Sequence, residues 1–172
     1  MSAPASEFSR VIDLRQISDA PIVLEPTGDE RRRLAGRFAI SAVDRLRAEV
    51  TLVRDGEKVL ASGRLVADIV QPCAISGEDF AVHVDEPIAL RFVPPGRHAP
   101  DEELEITADE CDEIEFEGLT IDLGEAVAQS LALAIDPFAE GPEAERARIE
   151  HNLAGDPSSG PFAALAALRK KD

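Results

Sequence analysis

The chain has 172 residues, the size of one ordinary domain, and 44% of them are hydrophobic. Its 34 acids outnumber its 18 bases, and the net charge of −16 opposes broad contact with nucleic-acid phosphates, which needs clustered Lys and Arg. The excess charge favours basic partners instead.

The sequence contains no predicted membrane-inserting segment. Residues 1–10 lack the positive start and apolar stretch of a signal peptide, and no run approaches the roughly 20 apolar residues that cross a bilayer. Cys73 and Cys111 are the only cysteines, and two thiols cannot complete a four-ligand zinc site. We therefore expect a cytoplasmic protein with reduced thiols, no metal, no cofactor and no membrane contact.

The amino-terminal part of the chain predicts two short strands and then a helix. Residues 7–14 and 20–26 have the composition of strands. Residues 27–39 then predict a short helix, because Thr27 or Asp29 can serve as its N-cap.

The middle of the chain predicts β-hairpins. Residues 45–70 alternate apolar and polar residues on both sides of Asp55-Gly56, a dipeptide that accepts the positive φ values of a tight hairpin turn. The alternation weakens after Gly63, where we expect a β-bulge. Residues 71–79 predict a second turn, so that three or more strands form an antiparallel meander.

An acidic run and then an apolar helix follow the meander. Residues 101–117 hold ten acids and no base. We expect a loop from Gly96 to about Cys111 and a short extended piece over residues 112–123. Asp122 has the position of a helix N-cap, and Asp136-Pro137 ends the helix because the residue before proline avoids helical backbone. The helix has an apolar stripe with i, i+4 spacing, which we expect to cover the open face of the meander: Leu123, Val127, Leu131 and Ile135.

Together these elements predict an α+β fold, in which a central amphipathic helix covers an antiparallel β-meander that could close into a barrel. Further short helices are expected towards the carboxyl end. We expect residues 1–140 to form one domain and residues 141–172 to form a helical extension with a flexible linker.

Charged residues are unevenly placed, which predicts one basic and one acidic surface. The candidate RNA-binding residues are six arginines near the amino end: Arg31, Arg32, Arg33, Arg37, Arg45 and Arg47. The candidate residues for binding a basic partner belong to the acidic run: Asp101, Glu102, Glu103, Glu105, Asp109, Glu110, Asp112 and Glu113.

The order of the features resembles the YceD family, the large ribosomal RNA subunit accumulation proteins, and most closely its alphaproteobacterial branch. The resemblance rests on VQPCAISGEDF, ALRFVPP, IDLGEAVAQSLALAIDPF and PFAALAALRKK, in that order over about residues 8–171. It implies a non-enzymatic role in large-subunit ribosomal RNA synthesis, processing or stability, and a link to ribosomal proteins. It also implies structural roles for Cys73, Asp122, Leu123, Leu131, Leu133 and Pro137.

The leading hypothesis is therefore a ribosome-biogenesis factor that binds a ribosomal protein, large-subunit ribosomal RNA, or both. The charge balance favours the protein partner, and the oligomeric state stays open. One alternative is an enzyme with an unrecognised hydrolytic site at His83 or His151, although no catalytic motif is present. Another is an interaction scaffold unrelated to ribosomes, whose tail helix at residues 161–172 docks into a partner's groove.

Overall fold

The computed structural model describes residues 6–95, 113–151 and 153. Five of its strands form one sheet in the order β2-β3-β4-β5-β6, and β1 and β7 form a separate antiparallel pair. In chain order the elements are β1 (Val11–Asp13), a 3-10 helix (Leu14–Gln16), β2 (Ile22–Leu24), α1 (Gly28–Phe38), β3 (Ala42–Asp55), β4 (Lys58–Pro72), β5 (Asp79–Val93), β6 (Glu113–Glu115), β7 (Thr120–Asp122), α2 (Leu123–Ala134) and α3 (Ala144–Glu150). The predicted α+β class is confirmed, and within the described residues the sheet does not close into a barrel.

The chain divides into two compact units. The first comprises Met1–Val70 and Ala81–Ile135, and the second comprises Gln71–Phe80 and Asp136–Asp172. The predicted division at residue 140 stays a prediction, and most of the expected linker and tail helix lies outside the described residues.

Helix α1 begins with a capping box at Thr27. The Thr27 hydroxyl accepts a hydrogen bond from the Glu30 amide at 3.3 Å, and the Glu30 carboxylate accepts one from the Thr27 amide at 2.7 Å. Thr27 rather than Asp29 is therefore the cap. The helix ends at Phe38, and the next residue, Ala39, caps it with a φ of 55°, the left-handed conformation common at helix ends.

The β3–β4 hairpin turns one residue later than the sequence predicted. Asp55 pairs with Lys58, so the two-residue loop is Gly56-Glu57 instead of Asp55-Gly56. Gly56 has a φ of 63°, and it supplies the left-handed conformation that the first position of this loop requires.

The predicted bulge at Gly63 is wrong. Val50 pairs with Gly63 in regular register, and the irregularity of this strand pair lies between Val43 and Arg45. A Cβ added at Gly63 would lie 2.0 Å from the carbonyl oxygen of Glu49. Glycine is required here because two backbones approach closely.

The last strand of the sheet departs from the predicted meander. β6 pairs with β5 in parallel, with Arg91 opposite Glu113 and Val93 opposite Glu115. A parallel partner needs a long connection in place of a hairpin, and residues 94–112 provide it. Only Pro94 and Pro95 of that connection lie within the described residues.

Helix α2 contributes the predicted apolar stripe to the core. Leu123, Val127 and Leu131 are each 0% exposed and belong to the same hydrophobic cluster as the inward side chains of β3, β4 and β5. Burying each such side chain contributes roughly 1.5–3 kcal/mol. Leu133 points away from this cluster and is 87% exposed. No helix within the described residues is long and apolar enough to span a bilayer.

Candidate interaction surfaces

The six candidate arginines lie on two neighbouring elements of the first unit. Four are on α1 (Arg31, Arg32, Arg33 and Arg37) and two are on β3 (Arg45 and Arg47). On β3 they alternate with the buried residues Leu46 and Ala48, so both arginines belong to the outward face of the sheet.

Three of these arginines are already paired with carboxylates. Arg37 contacts Glu7 at 3.0 Å and Glu125 at 2.7 Å, which joins α1 to the first turn of α2. Arg32 lies 2.8 Å from Asp29. Arg47, on the outward face of the sheet, lies 2.7 Å from Glu25 and 3.6 Å from Glu49.

The other three arginines, Arg31, Arg33 and Arg45, make no ion pair within the described residues. Arg45 nevertheless stands directly opposite Asp68 of β4. On α1 and β3 the arginines are therefore interspersed with acids, and half of them are engaged within the chain.

Most of the acidic candidates lie outside the described residues: Asp101, Glu102, Glu103, Glu105, Asp109, Glu110 and Asp112. Glu113 is described, and it is paired with Arg91 at 3.1 Å and Lys58 at 3.4 Å. The hydrogen bond from Arg91 lowers the pKa of Glu113. The negative charge of Glu113 is thus neutralised by two cations of the same chain.

The next two acids of the run are different. Glu115 and Glu117 are exposed and make no ion pair within the described residues. They border a groove of about 330 Å³ between β6, β7 and the first turns of α2. Phe92 and Ile121, each 2% exposed, lie at its floor. The sequence pattern could identify the acids but not the groove, because β6 and β7 belong to different sheets.

Asp122 has the predicted capping role and a further one. Its Oδ1 accepts from the Glu125 amide at 3.1 Å and from the Arg10 amide at 2.8 Å. Its Oδ2 accepts from the Ser9 hydroxyl at 2.6 Å. The residue therefore caps α2 and also fixes the start of β1.

Cys73 lies in the turn of the second unit and is 3% exposed. Its sulfur accepts hydrogen bonds from the amides of Ile75 and Ser76, each at 3.4 Å. Hydrogen bonds from the Ser76 hydroxyl and amide lower the pKa of the Cys73 thiol to about 7. Pro137 follows the end of α2 and is exposed.

His83 and His151 lie within the described residues, and both are exposed. His83 Nδ1 lies 2.6 Å from Asp68 Oδ1 on an exposed part of the sheet. His151 is exposed at the end of α3. The part of the chain that the structure describes contains no cluster of three or more His, Cys, Asp or Glu residues that could hold a metal ion.

Comparison with known proteins assigns a family. The model of the family described as "Large ribosomal RNA subunit accumulation protein YceD" matches residues 61–169. No curated protein and no solved structure matches the chain. The family name implies a role in the accumulation of large-subunit ribosomal RNA, and the family is not a known enzyme family. Because the match spans more than half of the 172 residues, the chain belongs to the YceD family.

Proposed function

We propose that the chain supports large-subunit ribosomal RNA accumulation without catalysis, by binding a basic ribosomal protein through the acidic segment from Asp101 to Glu117. Basic ribosomal proteins normally meet phosphate charge, and clustered carboxylates offer a similar field. Such binding would protect the ribosomal protein until it joins the large-subunit RNA.

The observation that carries this proposal is the excess of acids over bases, of which unpaired carboxylates remain at the described end of the acidic segment. Arg32, Arg37 and Arg47 already contact carboxylates of the same chain. Glu115 and Glu117, at the described end of the acidic segment, have no such partner within the described residues. Arg31, Arg33 and Arg45 are unpaired as well within the described residues, but with a net charge of −16 the charge offered to a partner is negative on balance.

Affinity purification of the tagged chain with and without nuclease tests this proposal. We expect large-subunit ribosomal proteins to remain bound after nuclease treatment, and binding to weaken with salt. Loss of every ribosomal protein after nuclease treatment would contradict direct protein contact.

Direct RNA binding is the second candidate, and the unpaired state of Arg31, Arg33 and Arg45 favours it. If these three arginines contact phosphates, affinity for large-subunit RNA should fall with salt at a log–log slope of about −2 to −3. Engagement of all six arginines would give about −4 to −5. A slope near zero, or no loss for Arg31→Glu with Arg33→Glu, would exclude this version.

A further inference from the structure

We propose that the groove beside β6 is a docking site for an extended segment of a basic protein, which adds as a strand to the open edge of β6. The segment would alternate basic and apolar residues. This inference rests on the proposed function and names the surface through which the partner would be held.

The first argument is the direction of the β6 backbone. Phe116 donates its amide to the Val93 carbonyl at 2.9 Å. In a parallel pair, successive residues direct their N–H and C=O groups to opposite sides. With Val93 opposite Glu115, the backbone groups of Ile114 and Phe116 face β5, and those of Glu115 face away from it.

The second argument is that this edge is open. β6 is the last strand of the five-stranded sheet, and no strand pairs with its other side within the described residues. An edge with unpaired N–H and C=O groups can accept an added strand, and the backbone hydrogen bonds then supply affinity. Glu115 therefore offers one donor and one acceptor to an incoming strand.

The third argument is the composition of the groove. The buried side chains of Phe92, Ile121 and Ala126 form its floor, and Ile114 and Phe116 are partly buried beside them. Its volume of about 330 Å³ accommodates one or two aliphatic side chains. Alternate residues of an added strand would enter the groove, while the residues between them would point to the other face.

The fourth argument is charge complementarity. Glu115 and Glu117 are exposed at the rim, and neither has an ion-pair partner within the described residues. Asp122 and Glu125 also line the groove, but their carboxylates are engaged by the helix cap and by Arg37. The two free carboxylates select Lys or Arg at alternate positions of the segment, and they disfavour acidic segments and RNA.

The probe is a nine-residue peptide of alternating Lys and Val, titrated into the isotopically labelled chain and followed by NMR. We expect amide shifts confined to β6 and the other residues that line the groove: Val11, Phe92, 116–117, 120–122, Glu125, Ala126 and Gln129. Shifts centred on α1, or none at all, would overturn the proposal. So would a uridine oligonucleotide that shifts the same amides equally well, since the groove would then bind nucleic acid.

Two substitutions of Glu115 separate the backbone contribution from the charge. Glu115→Gln removes the carboxylate and keeps the outward N–H, whereas Glu115→Pro removes both. The proline leaves the bonds of Ile114 and Phe116 to β5 in place, because edge strands tolerate proline where the N–H faces outward. We expect the proline variant to bind the peptide about tenfold more weakly than the glutamine variant. Equal affinities, with circular dichroism showing both variants folded, would exclude strand addition.

A matched pair of charge reversals tests the location. Glu115→Lys with Glu117→Lys should weaken peptide binding by about tenfold or more. Asp19→Lys with Glu86→Lys changes the net charge equally at exposed positions outside the groove, and it should have little effect. Equal weakening by both pairs would overturn the assignment to this groove.

Purification from lysate separates failure of the groove from failure of the function. If the unaltered chain and the Glu115→Pro, Glu117→Lys variant retain the same ribosomal proteins, the groove proposal is wrong and the proposed function stands. If the unaltered chain retains none of them, the proposed function is wrong, and with it the partner assigned to the groove. Retention by the unaltered chain alone supports both.

Discussion

Arg37 and Glu125, 88 residues apart in the chain, form a two-point contact: the Arg37 Nη1 and Nη2 atoms lie 2.8 and 2.7 Å from the two carboxylate oxygens of Glu125. The side chains are 31% and 25% exposed. The pair joins the last turn of α1 to the first turn of α2. It therefore links two helices whose own sequences specify only their caps and apolar faces.

Replacing Arg37 with Ala should lower the free energy of unfolding by about 1–2 kcal/mol, between the values of an exposed ion pair and of charged hydrogen bonds. Urea denaturation measures the change. Arg33→Ala is the matched control, because Arg33 lies on the same helix, is exposed and has no ion pair within the described residues. An equal loss in the two variants would show that the contact with Glu125 contributes nothing.

Stability should also depend on pH through Glu125 and Glu30. Hydrogen bonds from Arg37 and Arg10, respectively, lower the pKa of each carboxyl from 4.5 to about 2. Since folding lowers these pKa values, the stabilisation is fully present above about pH 5 and is lost as the pH falls towards 2. Urea midpoints measured across this range should show a shallower decline for Arg37→Ala, and an unchanged slope would contradict the assignment.

Asp122→Ala should destabilise the chain by about 2–3 kcal/mol. The loss of a helix cap costs about 1 kcal/mol, and the Arg10 amide also loses its acceptor. Asp122→Asn keeps an oxygen in place and should cost less than half as much. Thermal unfolding of both variants tests this, and identical melting temperatures would exclude the second role of the carboxylate.

Two helical glycines should respond to alanine in opposite directions. A Cβ at Gly124 would lie 2.7 Å from both the Arg10 amide nitrogen and the Phe8 carbonyl oxygen, so Gly124→Ala should destabilise by about 1–3 kcal/mol. At Gly36 no atom lies within 4 Å of the added carbon, and Gly36→Ala should stabilise by about 0.5–1 kcal/mol. Urea denaturation of the two variants provides the comparison, and changes of the same sign would contradict it.

Ser76→Ala should raise the pKa of the Cys73 thiol above its value of about 7, because the Ser76 hydroxyl is the main group that stabilises the thiolate. The ultraviolet absorbance of the thiolate, recorded against pH, measures this directly. Cys111→Ser in both proteins removes the other thiol from the signal. An unchanged titration would mean that the backbone amides alone set the pKa.

The sequence predicted those features that depend on neighbouring residues. Three such features are specified within a few residues of the chain: the start of α1 at Thr27 or Asp29, the stripe of Leu123 and Leu131, and the end of α2 before Pro137. The parallel pairing of β6 could not be predicted in this way, because it joins residues on either side of a long connection.

The charged candidate residues show the same difference between local features, which the sequence predicts, and contacts between distant residues, which it does not. The acidic run and the arginines were visible as composition, but their partners were not. Arg37 meets Glu125 only after α1 and α2 have packed together, and Glu113 meets Arg91 only in the parallel strand pair. Gly63 gave a misleading signal, because a close backbone approach and a bulge both favour glycine.

The pairing of β1 with β7 places Val11 opposite Asp122. During translation, the amino-terminal strand emerges long before its partner, and at about 5–20 residues per second it waits on the order of ten seconds. A nascent chain stalled before residue 120 would therefore leave β1 accessible to proteases or chaperones. Once residues 120–122 have emerged, β7 can pair with β1, so β1 becomes part of a sheet only after a segment about 110 residues further along the chain has been made.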